Sequence, residues 1–302
     1  MALPDFVVAG VARAGTTTLY NLLKKHNQIY LPKVKETNYF SKVTSKNAED
    51  YKLPKSGIEY HTKIIKDWSV YKALYNADEL SNKLKGDISP SYMWDLKSAE
   101  RIRAKNKDAK IIITLRSPVD RVLSHYKMNY YTGYEKESNF TKAIYKDPDG
   151  YWGGGNCYLR CSFYYKSLRT YFDNFDKANI LILIYEDWIE DQRKLADSIT
   201  EFLGVKCFKK CDLVSNHQNK VKPIKHLKVL NLLRNPNVKS IFKKTIPQHK
   251  IDGLKKKYFE GDDIKMAIDL DEEKKLKELF REDVLKTGKL LNKDLLKVWD
   301  FD

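Results

Sequence analysis

The feature that most restricts the fold is near the start of the chain. The apolar run Phe6-Val7-Val8-Ala9 passes straight into Gly10-Val11-Ala12-Arg13-Ala14-Gly15-Thr16-Thr17-Thr18, and Leu19, Leu22, Leu23 and His26 then share one face of a helix over 17–26. A buried strand, a glycine-bearing turn and a helix in direct succession form an anion cradle. Backbone amides of the turn and the positive end of the helix face the ligand, and Thr16, Thr17 and Thr18 add hydroxyl donors.

The rest of the chain extends this unit. Phe6 to Val11, Ile111 to Leu115 and Ile180 to Ile184 read as buried parallel strands, and Gln28 to Leu31 as a short one. Helical patterns cover 98–106, 119–131, 162–172 and 191–203, and Leu276, Leu279, Phe280, Asp283, Val284, Thr287 and Leu291 mark a long amphipathic helix near the C-terminus. Alternating strands and helices predict an α/β fold: a P-loop-like, doubly wound parallel sheet flanked by helices. Residues 41–82 and 132–156 read as irregular, with Gly153-Gly154-Gly155 as a loop, so the expectation is one domain over 1–302 with insertions.

Bulk properties narrow the classes of function. No apolar run approaches the roughly 20 residues of a membrane-spanning helix, and the first strand begins almost at Met1, leaving no room for a signal peptide, so the expected location is cytoplasmic. The net charge is +16, and residues 220–257 hold twelve Lys or Arg against Asp252 alone, which places +11 of it in one basic insertion. That field suits an anionic ligand such as a nucleotide, acidic glycan, nucleic acid or lipid head group, although a lysine-decorated solvated surface has the same composition. The four cysteines form two i,i+4 pairs, Cys157/Cys161 and Cys207/Cys211. A zinc site or disulfides are the alternatives to reduced, mostly buried thiols, and reduced thiols are the expectation.

The loop departs from the Walker A pattern in an informative way. Gly10 and Gly15 have its spacing, but Thr16 stands where a nucleoside triphosphate kinase places its lysine, and the cation is Arg13. A second strand–turn–helix follows at Ile111 to Tyr126, with Pro118 suited to the first helical turn. There Arg116 ends the strand and Ser124 sits on the second turn of the helix, so both can converge on one phosphate.

Gly10 to Tyr20 resembles the 5′-phosphosulfate loop of sulfotransferases dependent on 3′-phosphoadenylyl sulfate (PAPS), in the bacterial and heparan-sulfate-type branch. The resemblance implies that Arg13, Ala14, Gly15, Thr16, Thr17 and Thr18 hold the donor's phosphosulfate. It also implies that Arg116 and Ser124 hold its 3′-phosphate, and that Glu36, three residues before Tyr39-Phe40, is the base that deprotonates the acceptor. Lys35 fits either an acceptor contact or surface charge. Gly86 to Tyr92 resembles the family's segment ending in Ser-Pro-x-Tyr, with Ile88 where heparan-type enzymes carry lysine. Met128 replaces the histidine of N-sulfotransferases, which argues against transfer to a glucosamine nitrogen and leaves His125 a structural role. Lys220 and Lys222, with Asn216, fall where the family closes over the nucleotide. Weaker matches at Ile180 to Asp187, Glu201 to Val205 and Phe280 to Trp299 extend the resemblance over nearly the whole chain.

The expected function is transfer of a sulfuryl group from PAPS to a hydroxyl of a saccharide or glycolipid, with Arg13 and Glu36 catalytic, adenosine 3′,5′-bisphosphate as product and no metal. No nucleic-acid partner is expected, and peripheral membrane contact is compatible with the charge. The rival readings are an ATP-dependent P-loop kinase, which the Walker B-like run at Ile180 to Asp187 keeps open, and a non-catalytic basic glycan-binding protein.

Overall fold

The computed structural model describes residues 3–41, 65–76, 80–132, 135–146, 157–208 and 266–301. Five parallel strands form one sheet: β1 (Phe6–Gly10), β2 (Ile29–Tyr30), β3 (Leu84–Ile88), β4 (Lys110–Leu115) and β5 (Ile180–Ile184), in the order β2-β3-β1-β4-β5. The helices are α1 (Thr16–Leu23), α2 (Trp68–Ala73), α3 (Ser98–Lys105), α4 (Pro118–Thr132), α5 (Phe140–Tyr145), α6 (Tyr165–Asn174), α7 (Tyr185–Trp188), α8 (Gln192–Leu203), α9 (Leu270–Leu291) and α10 (Leu295–Val298).

Strand periodicity explains why the sheet is covered on both sides. β1 and β4 run in register, Val7 beside Ile111 and Val8 beside Ile112. Val7, Ala9, Ile111 and Ile113 face one core, shared with Phe280 and Val284 of α9 and Leu168 of α6. Phe6, Val8 and Ile112 face the other, with Leu19 and Leu23 of α1 and Leu195 and Ile199 of α8. Successive residues of a strand point to opposite faces, so an unbroken apolar run is what two helical layers require.

The chain moves from β1 outward to β2, back to β3, and then across β1 to β4 and β5. This reversal opens a crevice beyond the carboxyl ends of β1 and β4, the usual ligand position in open α/β sheets. The Gly10 loop and Arg116 both emerge there.

Several elements differ from the sequence expectation. β3 is a strand that the sequence pattern does not mark, because Lys85, Gly86 and Asp87 interrupt its apolar run. Gly86 is required by packing, since a Cβ there would lie 2.2 Å from Cζ of Phe6. The regions read as irregular contain α2 and α5, started by the side-chain caps Asp67 and Asn139. α6 begins at Tyr165, three residues later than expected. In α9 the buried stripe is Leu276, Phe280, Val284 and Thr287, and Leu279 points outward at 42% exposure. That helix starts on the Asp269 cap with Asp271, Glu272 and Glu273 at its positive end. The Gly153-Gly154-Gly155 loop, the basic insertion at 220–257 and Cys211 lie outside the described residues.

Candidate active site

The loop after β1 is fastened to β4 by three hydrogen bonds. The Val11 amide donates to the Thr114 carbonyl (2.8 Å), Thr114 Oγ1 donates to the Ala14 carbonyl (2.9 Å), and Arg116 Nη1 donates to the Arg13 carbonyl (3.3 Å). Arg13 and Gly15 both have left-handed backbone, with φ of 74° and 84°. For arginine this conformation costs on the order of 1 kcal/mol or more, so the fold has to impose it. At Gly15 a side chain is also excluded, because a Cβ would meet Cη2 of Trp188 at 2.3 Å. Gly15 precedes the first turn of α1 and has no side chain to cap it. No capping side chain therefore closes the amide end of the helix.

The sequence-predicted anchors meet around Arg13. Its Nε donates to Ser124 Oγ at 3.2 Å, and its Nη1 lies 3.1 Å from Met128 Sδ, one helical turn further along α4. Arg116 and Ser124 are therefore joined through Arg13, one on its carbonyl and the other on its guanidinium. Arg116 also lies over the Tyr185 ring, 4.7 Å from its centroid. Ala14 and Thr16 are buried and Thr17 is exposed. Lys220 and Lys222 lie outside the described residues.

A third arginine was not read from the sequence as part of this cluster. Arg121 is fully buried, donating to Ser162 Oγ at 2.6 Å and to the Tyr158 carbonyl, while its Nη1 has no hydrogen-bond partner. Arg116 Nε is likewise buried without a partner. Burial, then Arg116, then Arg121 pull the Arg13 pKa down to about 10, so it remains a cation at neutral pH in a setting that disfavours cations. An anion in the crevice would reverse that penalty. The residues present therefore fit a ligand with phosphate or sulfate groups.

His125 lies beside this cluster, buried edge-on to Tyr158 with Nδ1 3.4 Å from Arg121 Nη2. Burial first, then Arg121 and Arg13, hold its pKa well below the ordinary 6.5. The unfolded chain takes up this proton as pH falls through 6.5 and the folded chain does not, so the group's contribution to stability is lost on acidification. A single such proton gives a slope of about 1.4 kcal/mol per pH unit. Denaturant melts between pH 7 and 5 should show His125→Gln with a shallower decline in stability than the parent; identical slopes would remove His125 from the account.

Glu36 approaches from the other side of the crevice. It has a left-handed backbone, φ 62°, and its amide donates to the Ile88 carbonyl at 3.1 Å. A polar network imposes this shape. Fully buried Asp87 accepts from Thr37 Oγ1 (2.9 Å), Tyr71 OH (2.8 Å), Tyr92 OH (2.7 Å) and Ser89 Oγ (2.8 Å). Asn38 donates from its amide to Ser89 Oγ and from its side chain to the Glu36 carbonyl, and accepts from Ser91 Oγ. Burial raises the Asp87 pKa while the four hydroxyl donors oppose that rise. Lys35 then ties this loop to the first: its Nζ lies 2.7 Å from Glu36 Oε1 and donates to Thr17 Oγ1 at 3.1 Å. The lysine is thus a bridge within the site.

The Walker B-like run has other duties. Glu186 accepts from the Ser117 amide at the start of α4 (2.9 Å) and from Trp299 Nε1 (3.0 Å), while Asp187 pairs with Lys293. Among the described residues no group of three His, Cys, Asp or Glu could hold a metal, and no helix is long and apolar enough to cross a membrane.

Fold and site together define a parallel α/β protein with an arginine-lined anion cradle at the reversal of its sheet. Residues 4–209 match the sequence profile of the Sulfotransferase family, and the chain belongs to that family. A membrane-associated sulfotransferase, kil1, from Dictyostelium discoideum is 35% identical over 126 residues, 42% of this chain and 23% of that protein. A mouse heparan sulfate glucosamine 3-O-sulfotransferase, 3B1, is 25% identical over 214 residues, 68% of this chain and 47% of that protein. The alignments thus span half or less of these relatives' length. The solved sulfotransferase from Alicyclobacillus acidocaldarius shares the fold, with a TM-score of 0.71 at 22% identity over 99% of this chain and 100% of that one.

Proposed function

We propose that this chain transfers a sulfuryl group from PAPS to a hydroxyl of a saccharide acceptor. The observation that carries this reading is the convergence of Arg13, Arg116 and Ser124 on the loop of Gly10 to Thr18, with Glu36 linked to that loop through Lys35 and Thr17. Two anion anchors a hundred residues apart in sequence suit a nucleotide bearing groups at both its 5′ and 3′ positions. The donor supplies the sulfuryl group and a bisphosphate leaving group.

The residues of the chain do the rest. Arg13 and the amides at Gly15 to Thr18 hold the 5′ end and offset charge on the leaving phosphate as the bond breaks. Arg116 and Ser124 fix the 3′-phosphate and so the register of the donor. Glu36 accepts the acceptor's proton, and Lys35 orients its carboxylate. Lys220 and Lys222 belong to the same proposal as nucleotide contacts. The heparan sulfate 3-O-sulfotransferase relative supports a glycan hydroxyl as acceptor, and the basic insertion supports an anionic one.

The test is thermal shift with adenosine 3′,5′-bisphosphate, ATP and AMP at equal concentration. At a hundredfold excess over Kd the bisphosphate should add about 2.7 kcal/mol of stability, with smaller shifts for the other two. Equal shifts for all three would overturn the donor assignment and favour a general nucleotide site.

A further inference from the structure

We propose that Cys157 and Cys161 form an oxidisable dithiol that closes reversibly to a disulfide on meeting a small-molecule disulfide, and that closure disturbs the seating of Arg121. The two Sγ atoms are 3.2 Å apart, and both cysteines are free. A disulfide bond is about 2.05 Å long, so closure needs on the order of 1 Å of travel within one short turn, which includes the 3-10 segment Arg160–Ser162. Cys157 is buried at 1% exposure, whereas Cys161 as a residue is partly exposed.

The surroundings favour the chemistry. The S–H of Cys161 donates to Cys157, and this bond, with the positive fields of Arg121 and Arg160, lowers the Cys157 pKa against the opposing effect of burial, while the same bond and burial raise that of Cys161. A thiolate near arginines is the reactive form in exchange. Cys161, the more exposed residue of the two, passes its proton to Cys157 along their hydrogen bond as it attacks one sulfur of the small disulfide, releasing one small thiol and leaving a mixed disulfide. Cys157 then gives up that proton, attacks the Cys161 sulfur and expels the second small thiol. Two protein thiols are oxidised, one small disulfide is reduced to two thiols, and the two protons pass to the departing thiolates.

The coupling to Arg121 is direct. Two of its three protein acceptors, the Tyr158 carbonyl and Ser162 Oγ, lie in the turn that the bond would tighten, and the third is His125 Nδ1. Arg121 is fully buried, and its charge acts on Arg13 and His125. Shifting these acceptors leaves a buried guanidinium with fewer bonds, a costly state that the neighbouring helix must accommodate. Neither step rests on the donor assignment.

The experiment uses the full chain carrying Cys207→Ser and Cys211→Ser, equilibrated in reduced and oxidised glutathione and trapped with N-ethylmaleimide. Intact mass should show two maleimides on the reduced form. The oxidised form should take none, be lighter by two hydrogens and revert with dithiothreitol. Two alkylatable thiols under oxidised glutathione, or a stable single glutathione adduct, would overturn the dithiol. Added Cys161→Ser should leave Cys157 reduced and unbridged. Hydrogen exchange over 118–125 should be faster in the oxidised form than in the reduced one; equal exchange would overturn the coupling to Arg121.

Discussion

Arg13→Ala is expected to lower kcat/KM for sulfuryl transfer by about 10²–10³-fold, the usual effect of removing one charge-stabilising donor from a catalytic oxyanion site. Folding should suffer much less. The substitution removes the bonds to Ser124 and Met128, but it also removes a part-buried cation that desolvation, Arg116 and Arg121 disfavour. Release of adenosine 3′,5′-bisphosphate from PAPS in the presence of a saccharide acceptor measures transfer, and a denaturant melt measures stability. Arg13→Lys is the informative companion. It keeps the charge but gives up the planar fork that reaches Ser124 and Met128 together, so it should retain more transfer than alanine while binding the bisphosphate less tightly than the parent. Transfer by Arg13→Ala within threefold of the parent would remove Arg13 from the chemistry.

The parts of the fold that sequence revealed are those in which local pattern and tertiary role agree. β1, β4 and β5 are apolar runs because two helical layers bury both faces, and the loop between Gly10 and Thr18 is legible because its glycine spacing and its position after a strand say the same thing. β3 escaped notice because its local pattern contradicts its place. Asp87 sits in a buried strand only because Thr37, Tyr71, Ser89 and Tyr92, from three separate segments, supply hydroxyls to it. No local pattern carries that information. The one available signal was a carboxylate between Gly86 and Ile88, just ahead of Ser89-Pro90.

The site divides along the same line. Arg13, Arg116 and Ser124 were visible as motif positions, yet their linkage through Arg13 depends on α4 placing Ser124 and Met128 over the loop. Arg121 reads in sequence as an ordinary helical arginine, five residues from the end of a strand. Its complete burial beside Arg13 emerges only from packing against the turn at Tyr158 to Ser162. Lys35 is the reverse case: its sequence neighbourhood suggested either surface charge or an acceptor contact, and geometry gives it Glu36 on one side and Thr17 on the other. In each instance long-range contact decides what a charged residue does.

That bridge shapes the remaining prediction. Glu36→Gln preserves side-chain length and the capacity to accept a hydrogen bond from Lys35, but it removes the carboxylate proposed to take the acceptor's proton. Loss of a positioned general base usually costs about 10²–10⁴-fold, and that loss should appear in kcat. Affinity for adenosine 3′,5′-bisphosphate should stay close to the parent's, because Arg13, Arg116, Ser124 and the loop amides are untouched. A merely structural Glu36 would behave differently. Its loop is held in left-handed backbone by the Asp87 and Asn38 network and meets the donor loop through Lys35, so structural damage would spread to Thr17 and weaken bisphosphate binding as well. Lys35→Met separates the two roles further: it removes the bridge while leaving the base, and should raise KM for the acceptor and reduce kcat less than Glu36→Gln does. Transfer by Glu36→Gln at the parent rate, with intact bisphosphate binding, would show that another group takes the proton.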